Sequence, residues 1–250
     1  MRIVTLVTDF GTIDPYVAAM KGTILSAAGD VRFVDITHEV PSHDVTRAQI
    51  ILSDVWRYFP EGTIHLGVVD PGVGTTRRRI LVEADGHRFV GPDNGLFGFT
   101  YEAASPRFWE ITGDFRSSAT FEGRDVFAVT VARMCQGVPV ATLATPIASI
   151  IRLEIPVAEV GKKKAVGEII YIDRFGNLCS NIAFSDISSP RKVTVHKGRV
   201  LRVVKTYAEG KRREPVALWN DFGRLEIAVR EGSAKYVLKA HKGMKIIVEK

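Results

Sequence analysis

Asp70 is followed by the turn Pro71-Gly72-Val73-Gly74 and, shortly after, by Arg77. An acid and an arginine set across such a turn suit chemistry in which a carboxylate must be kept ionised and aimed. Residues 63–69 are short, β-branched and bounded by turn signals, so they read as a buried strand. Asp70 falls where that strand stops, the edge at which α/β proteins place ligands. Gly72 and Gly74 let the backbone approach a bound group, and Arg77 can swing back towards Asp70.

Asp9 also follows a β-rich run, residues 2–7. Both carboxylates are therefore expected at the carboxyl ends of neighbouring strands, where a carboxylate can accept from both hydroxyls of a ribose. For Asp9 alone, a helix cap or an Asx-turn before Tyr16 is the structural alternative. Phe121-Glu122-Gly123-Arg124-Asp125 opens a helix over residues 124–136, with Thr120 or Gly123 as its cap, and sets Glu122 at the rim of a cleft. Asp173-Arg174-Phe175-Gly176-Asn177 interrupts a strand pattern. Phe175 suits stacking on a flat heterocycle and Asn177 suits reading its hydrogen-bonding edge, while a hairpin turn accounts for the Gly-Asn pair equally well. Asn220-Asp221-Phe222-Gly223 is a similar polar turn, leading into a strand.

Other chemistries fit less well. His38, His43 and His65, with Asp35 and Asp44, match no zinc spacing, and His65 alternates with apolar neighbours inside a strand. Structural roles and no bound metal are expected for them. A metal-dependent hydrolase using His38, His43 and Asp44 is the weakest reading. Gly72-Val73-Gly74 lacks the third glycine of the dinucleotide fingerprint, and no Gly-Lys-Ser/Thr occurs.

The elements that must position these groups change character along the chain. Strand and helix signals alternate up to residue 156, with helices expected over 16–28, 46–58 and 124–136. This pattern gives an α/β fold, a mainly parallel sheet covered on both faces. Residues 157–166 read as a basic loop. Beyond them, runs at 168–172, 192–196, 200–204, 225–229 and 244–248 alternate as strands, giving a smaller, all-β, barrel-like domain. The expected domains are 1–156 and 166–250.

The formal net charge of +6 is spread, and its densest clusters (77–79, 162–164 and 211–213) lack interleaved aromatics. They read as solvated loops, and no nucleic-acid partner is expected. No apolar run reaches the length of a membrane span, and no signal-peptide pattern opens the chain. Cys135 and Cys179 match no zinc or redox spacing, which points to buried thiols in a reducing cytoplasm.

Together, Thr8-Asp9-Phe10-Gly11, Val69-Asp70-Pro71-Gly72-Val73-Gly74-Thr75, Gly91-Pro92-Asp93-Asn94-Gly95, Phe121-Glu122-Gly123-Arg124-Asp125, Asp173-Arg174-Phe175-Gly176-Asn177 and Leu225-Glu226-Ile227-Ala228 stand in a telling order. The whole chain resembles the adenosine-forming S-adenosylmethionine hydrolases, or S-adenosylmethionine hydroxide adenosyltransferases, relatives of the fluorinase and chlorinase. The resemblance implies hydrolysis of S-adenosylmethionine to adenosine and methionine, with no metal or other cofactor. It also implies a homotrimer, each active site lying between the first domain of one subunit and the second domain of its neighbour.

By the same resemblance Asp9 holds the ribose hydroxyls, and Asp70 and Arg77 position and polarise the attacking water. Phe175 and Asn177 bind the adenine side, and Asp173 and Asp221 the methionine end. Backbone groups between Glu226 and Val229 complete the adenine contacts. One departure stands out: the family pattern has histidine where this chain has Glu122. Glutamate there could act as a base, or the site could bind ligand without turnover, so an adenosine or S-adenosylmethionine sensor is the alternative reading.

Overall fold

Short β-branched runs produce a parallel sheet core: β1 (Arg2–Thr8), β2 (Val31–Thr37) and β3 (Ile64–Val68) lie side by side in the order β2-β1-β3. They belong to a computed structural model that describes residues 1–113, 115, 120–195 and 198–250. The chain divides into two compact units, Met1–Leu153 and Glu154–Lys250.

In the first unit the sheet continues through β4 (Arg79–Ala84), β5 (His87–Pro92), β6 (Arg107–Ile111) and β7 (Ala144–Ile147), in the order β2-β1-β3-β5-β4-β6-β7. Pairings are parallel from β2 to β5 and antiparallel from β5 to β7. The antiparallel half includes two strands, β6 and β7, that periodicity alone does not reveal. Both sheet faces are buried. Val4, Leu6, Ile64 and Leu66 pack with Met20 and Ile24 of α1 (Tyr16–Ala27) on one face. Val7, Val69 and Phe89 pack with Ala48 and Leu52 of α2 (Val45–Val55) on the other. A strand covered on both sides reads as continuous apolar sequence, which is why β1 and β3 are recognisable.

The helix expected from residue 124 begins instead as a π-helical turn, Gly123–Ala128, that runs into α3 (Val129–Cys135). Glu122 takes the cap position with no side-chain cap bond, so its carboxylate is directed elsewhere. His65 fills a structural role: its Nδ1 lies 2.8 Å from Thr5 Oγ1 and its Nε2 lies 3.1 Å from His87 Nδ1. Cys135 is a half-buried thiol and Cys179 a buried one.

The second unit contains β8 (Glu159–Val160), β9 (Lys164–Ile172), β10 (Leu178–Ala183), β11 (Lys192–Val195) and β12 (Arg199–Val203). It is completed by β13 (Pro215–Trp219), β14 (Arg224–Val229), the short helix α4 (Ala234–Leu238) and β15 (Lys245–Glu249). The strand order β10-β14-β13-β12-β11-β15-β9 closes through a β9–β10 pairing, forming a seven-stranded barrel. Alternate residues such as Ile169, Leu178, Val193, Leu225, Ile227 and Ile246 fill its interior. The basic loop expected over 157–166 instead contains β8 and the start of β9, paired across Gly161 to Lys163, so its lysines cluster around a hairpin turn. His196, expected to end a strand, lies outside the described residues. Among the described residues no helix is long and apolar enough to cross a membrane.

Candidate active site

β1 and β3 are neighbours in parallel register, with Thr8 opposite Val68. Asp9 and Asp70 therefore leave the same edge of the sheet from adjacent strands. Asp9 Oδ2 accepts from the backbone N–H of His43 at 2.8 Å, and Asp70 Oδ1 accepts from the N–H of Gly72 at 3.2 Å, fixing the Pro-Gly turn.

Arg77 turns back onto Asp70. Its Nε lies 2.8 Å from Oδ1 and 2.9 Å from Oδ2, and its Nη2 also donates to Oδ2. The same Nη2 donates to Glu122 Oε2. Glu122 Oε1 accepts from Arg79 through Nε at 2.9 Å and Nη2 at 2.5 Å. The carboxylate side chains of Asp70 and Glu122 are each only 6% exposed, so both would be costly without these partners. Burial pushes the Glu122 carboxyl up, but the bonds from Arg79 and Arg77 outweigh it and hold the group below the usual carboxylate range. Burial likewise opposes the charge on Arg77, and Asp70 and Glu122 overcome it, raising its pKa.

A cavity of about 690 Å³, within the range of small-molecule sites, is lined by Asp9, Tyr16, Ser42, Asp70, Phe121 and Glu122, among others. Phe10, Tyr16 and Phe121 pack there edge to face or tilted, with ring centroids 5.3 to 6.0 Å apart. The arrangement offers an aromatic wall beside three held carboxylates, Asp9, Asp70 and Glu122, fitting a ligand that is part apolar and part cationic.

The second unit has a cavity of its own, about 580 Å³, lined by Asp173, Phe175, Asn177, Tyr207 and Val229 with others. Asp173 Oδ1 accepts from the Asn177 backbone N–H at 2.8 Å and Oδ2 accepts from the Asn177 side-chain amide at 3.0 Å, so the turn is a closed Asx unit. Gly176 sits at φ 83°, and a Cβ there would fall 2.0 Å from Ser233 Oγ, so glycine is required. Phe175 is 77% exposed, free to receive a flat ring.

Two expected residues stand apart from this lining. Asp221 lies on an exposed turn. The Glu226 side chain is buried, where its Oε1 accepts from Tyr207 Oη at 2.8 Å and its Oε2 from Asn220 Nδ2 at 3.3 Å. Burial raises the Glu226 pKa, the two bonds lower it in part, and Asp173 and Asp221 add to the rise.

His38, His43 and Asp44 do not form a metal cluster. His38 Nδ1 lies 2.9 Å from Thr8 Oγ1, His43 is held at φ 65° with its N–H on Asp9, and Asp44 caps α2 by accepting from Arg47 N at 2.9 Å. Among the described residues no group of three or more His, Cys, Asp or Glu side chains could hold a metal ion.

Residues 77–79 are not a solvated cluster, as their charge alone suggests. Arg77 and Arg79 reach Glu122, while Arg78 reaches Asp93, with Nε 2.8 Å from Oδ2. The alternation of a strand beginning at β4 was the available signal, since residues two apart share a face. Arg79 and Tyr207 are the site residues that sequence reasoning misses.

Comparison with known proteins adds independent findings. Residues 4–144 match the SAM hydroxide adenosyltransferase N-terminal domain, and residues 167–247 match the SAM hydroxide adenosyltransferase C-terminal domain. An (R)-S-adenosyl-L-methionine hydrolase of Thermus thermophilus is 37% identical over 98% of this chain and 99% of its own length. Another, from Methanocaldococcus jannaschii, is 34% identical over 91% and 88%. A fluorinase of Actinopolyspora mzabensis is 26% identical over 98% and 96%. The crystal structure of an uncharacterized conserved protein from Thermotoga maritima matches with a TM-score of 0.91 at 32% identity, covering 98% of this chain and 99% of that one.

Proposed function

Because the chain belongs to the SAM hydroxide adenosyltransferase family, we infer that it is an S-adenosyl-L-methionine hydrolase, cleaving its substrate with water to adenosine and L-methionine. The single observation that carries this reading into chemistry is the Arg77 fork on Asp70 and Glu122, two carboxylates that line the same cavity as Asp9.

In the proposed reaction a water oxygen attacks ribose C5′ in line with the sulfonium. The O–C5′ bond forms as the C5′–S bond breaks, and the electron pair departs on sulfur, leaving the neutral thioether of methionine. We assign the water's proton to Asp70, which Arg77 keeps ionised and oriented. A sulfonium needs no acid to leave, so most of the acceleration comes from alignment and exclusion of bulk water. Glu122 is assigned to holding Arg77: its Oε2 accepts from Arg77 and its Oε1 from Arg79.

Asp9 is assigned to the ribose hydroxyls, Phe175 and Asn177 to the adenine, Asp173 and Asp221 to the methionine end, and the backbone from Glu226 to Val229 to further adenine contacts. Assembly as a homotrimer, in which a neighbouring copy completes each site, belongs to the same reading and is checked by light scattering. So does a cytoplasmic location, to be checked by fractionation. The reaction draws on no metal or cofactor, so a chelator should leave the rate unchanged. The relatives are named as hydrolases and fluorinases and lend no support to a sensor. Incubation with S-adenosylmethionine and chromatography of the products tests the function; adenosine and methionine should appear in equal amounts, and no adenosine at high protein concentration overturns it.

A further inference from the structure

Four charges alternate in a line: Asp70, Arg77, Glu122, Arg79. Glu122 stands where the resemblance leads one to expect histidine, and a carboxylate there brings a second negative charge beside Asp70. Arg77 alone would have to serve both acids, leaving the group of three with a net charge of −1 in a largely buried site. Arg79 removes that conflict. It takes Glu122 Oε1 with two donors, while Arg77 meets only Oε2 and keeps its Nε between the two Asp70 oxygens.

We propose that Arg79 is a positioning residue for the hydrolysis: through Glu122 it holds the Arg77 guanidinium on Asp70, and Glu122 and Arg79 act as one unit in the place of a single histidine. The proposal rests on the reading of the site given above. Arg79 touches no reacting atom in this account. Its side chain is 32% exposed and its neighbour Arg78 is engaged with Asp93, so replacing Arg79 removes a charge without opening the core. The lowered Glu122 pKa agrees with this role, since burial raises it and the bonds from Arg79 and Arg77 together hold the carboxyl ionised.

Loss of Arg79 leaves an ionised Glu122 competing with Asp70 for Arg77, which disturbs the Asp70–Arg77 fork, and a proton on Glu122 relieves that competition. The consequence is on kcat and is greatest where Glu122 is ionised, while ribose and adenine contacts, and hence KM, are untouched. Removing the Glu122 charge as well takes away the competition, so the double variant should recover part of the loss. Such recovery is non-additivity that a merely structural arginine would not produce.

Steady-state hydrolysis across the acid range should be measured for the wild type, R79Q, R79K, E122Q and R79Q/E122Q. R79Q should lower kcat about 10-fold or more at neutral pH with KM within about 2-fold, the deficit narrowing towards acid pH as Glu122 is protonated. R79K should fall between, having charge without the fork, and R79Q/E122Q should turn over faster than R79Q. An R79Q rate equal to wild type across the pH range, or a double variant with the product of the two single losses, overturns the proposal. Carbon-13 NMR titration of the Glu122 carboxyl in wild type and R79Q reads the same coupling without turnover. Its pKa should rise in R79Q, and an unchanged value overturns the proposal even in a protein that releases no adenosine. Absence of wild-type turnover alone counts against the hydrolase reading, and the titration then decides on Arg79.

Discussion

The Arg77 guanidinium straddles the Asp70 carboxylate, with Nε 2.8 Å from Oδ1 and 2.9 Å from Oδ2. A carboxylate gripped on both oxygens cannot rotate freely, so its orientation is set by the protein itself. Arg77 is in turn held from behind by the Phe127 ring, 5.5 Å from the guanidinium carbon.

Asp70→Asn keeps the shape but removes the proposed proton acceptor and the charge that anchors Arg77. Hydrolysis should fall by roughly 10²- to 10⁴-fold in kcat, the range for a general base. Adenosine binding, read by calorimetry, should stay within about 3-fold if the ribose and adenine contacts lie elsewhere. Loss of binding equal to the loss of rate would place Asp70 in ligand recognition instead.

Arg77→Lys preserves charge and loses geometry. An ammonium cannot bridge both Asp70 oxygens and reach Glu122 together, as the planar fork does. The expected cost is about 10- to 100-fold in kcat, the value of one or two charge-assisted bonds. A lysine variant of wild-type activity would show that charge alone suffices.

Why Asp70 and Arg77 could be read from the chain, and the Glu122–Arg79 pair could not, is a matter of distance along it. Asp70 and Arg77 are joined by one Pro-Gly turn, whose grammar is local. Arg79 meets Glu122 only because β4 and the π-helical turn at Gly123 are brought together by the whole first unit. Charge density therefore misleads at residues 77–79, while strand alternation would have divided them correctly. The same holds for strands: β1 and β3 are buried on both faces and read plainly, whereas β6, Arg107–Ile111, mixes charge with aromatics and β7 contains Pro146. Glu226 illustrates a different limit. Its motif position was visible, but burial against Tyr207, nineteen residues away, is what turns its side chain from the cavity lining.

Asp9 supplies a test of where the ribose sits. Its Oδ2 is already engaged by the His43 N–H, which orients the carboxylate into the cavity edge. Asp9→Asn should raise KM by about 10- to 100-fold with a smaller change in kcat, the value of a hydrogen bond to a charged group. The 2′-deoxy analogue of the substrate should lose a similar factor on the wild type and little more on the variant. Equal sensitivity of both proteins to the deoxy change would move the ribose contact away from Asp9.

The buried pair His65 and His87 makes stability depend on pH, with a sign that can be worked out. Burial, and then His87, lower the His65 pKa from about 6.5 to about 3. Burial likewise lowers that of His87, against the opposing charges of Glu61 and Asp85. As the pH falls below about 6.5 the unfolded chain binds a proton at residue 65 and the folded protein does not. Stability is therefore complete above the unfolded value and is lost as the pH drops towards about 3, at up to about 1.4 kcal/mol per pH unit. Between pH 7 and 5 the loss from this residue should be about 2 kcal/mol. Urea denaturation at a series of pH values measures it, the midpoint falling as acid is added. In His65→Gln, which carries no titrating group at this position, the fall over that window should be shallower, whatever the variant's absolute stability. A wild-type midpoint that stays level from pH 7 to 5 would mean that the folded protein takes up a proton at residue 65 over the same window as the unfolded chain, so that the Thr5 and His87 contacts accommodate a charged ring at pH 5.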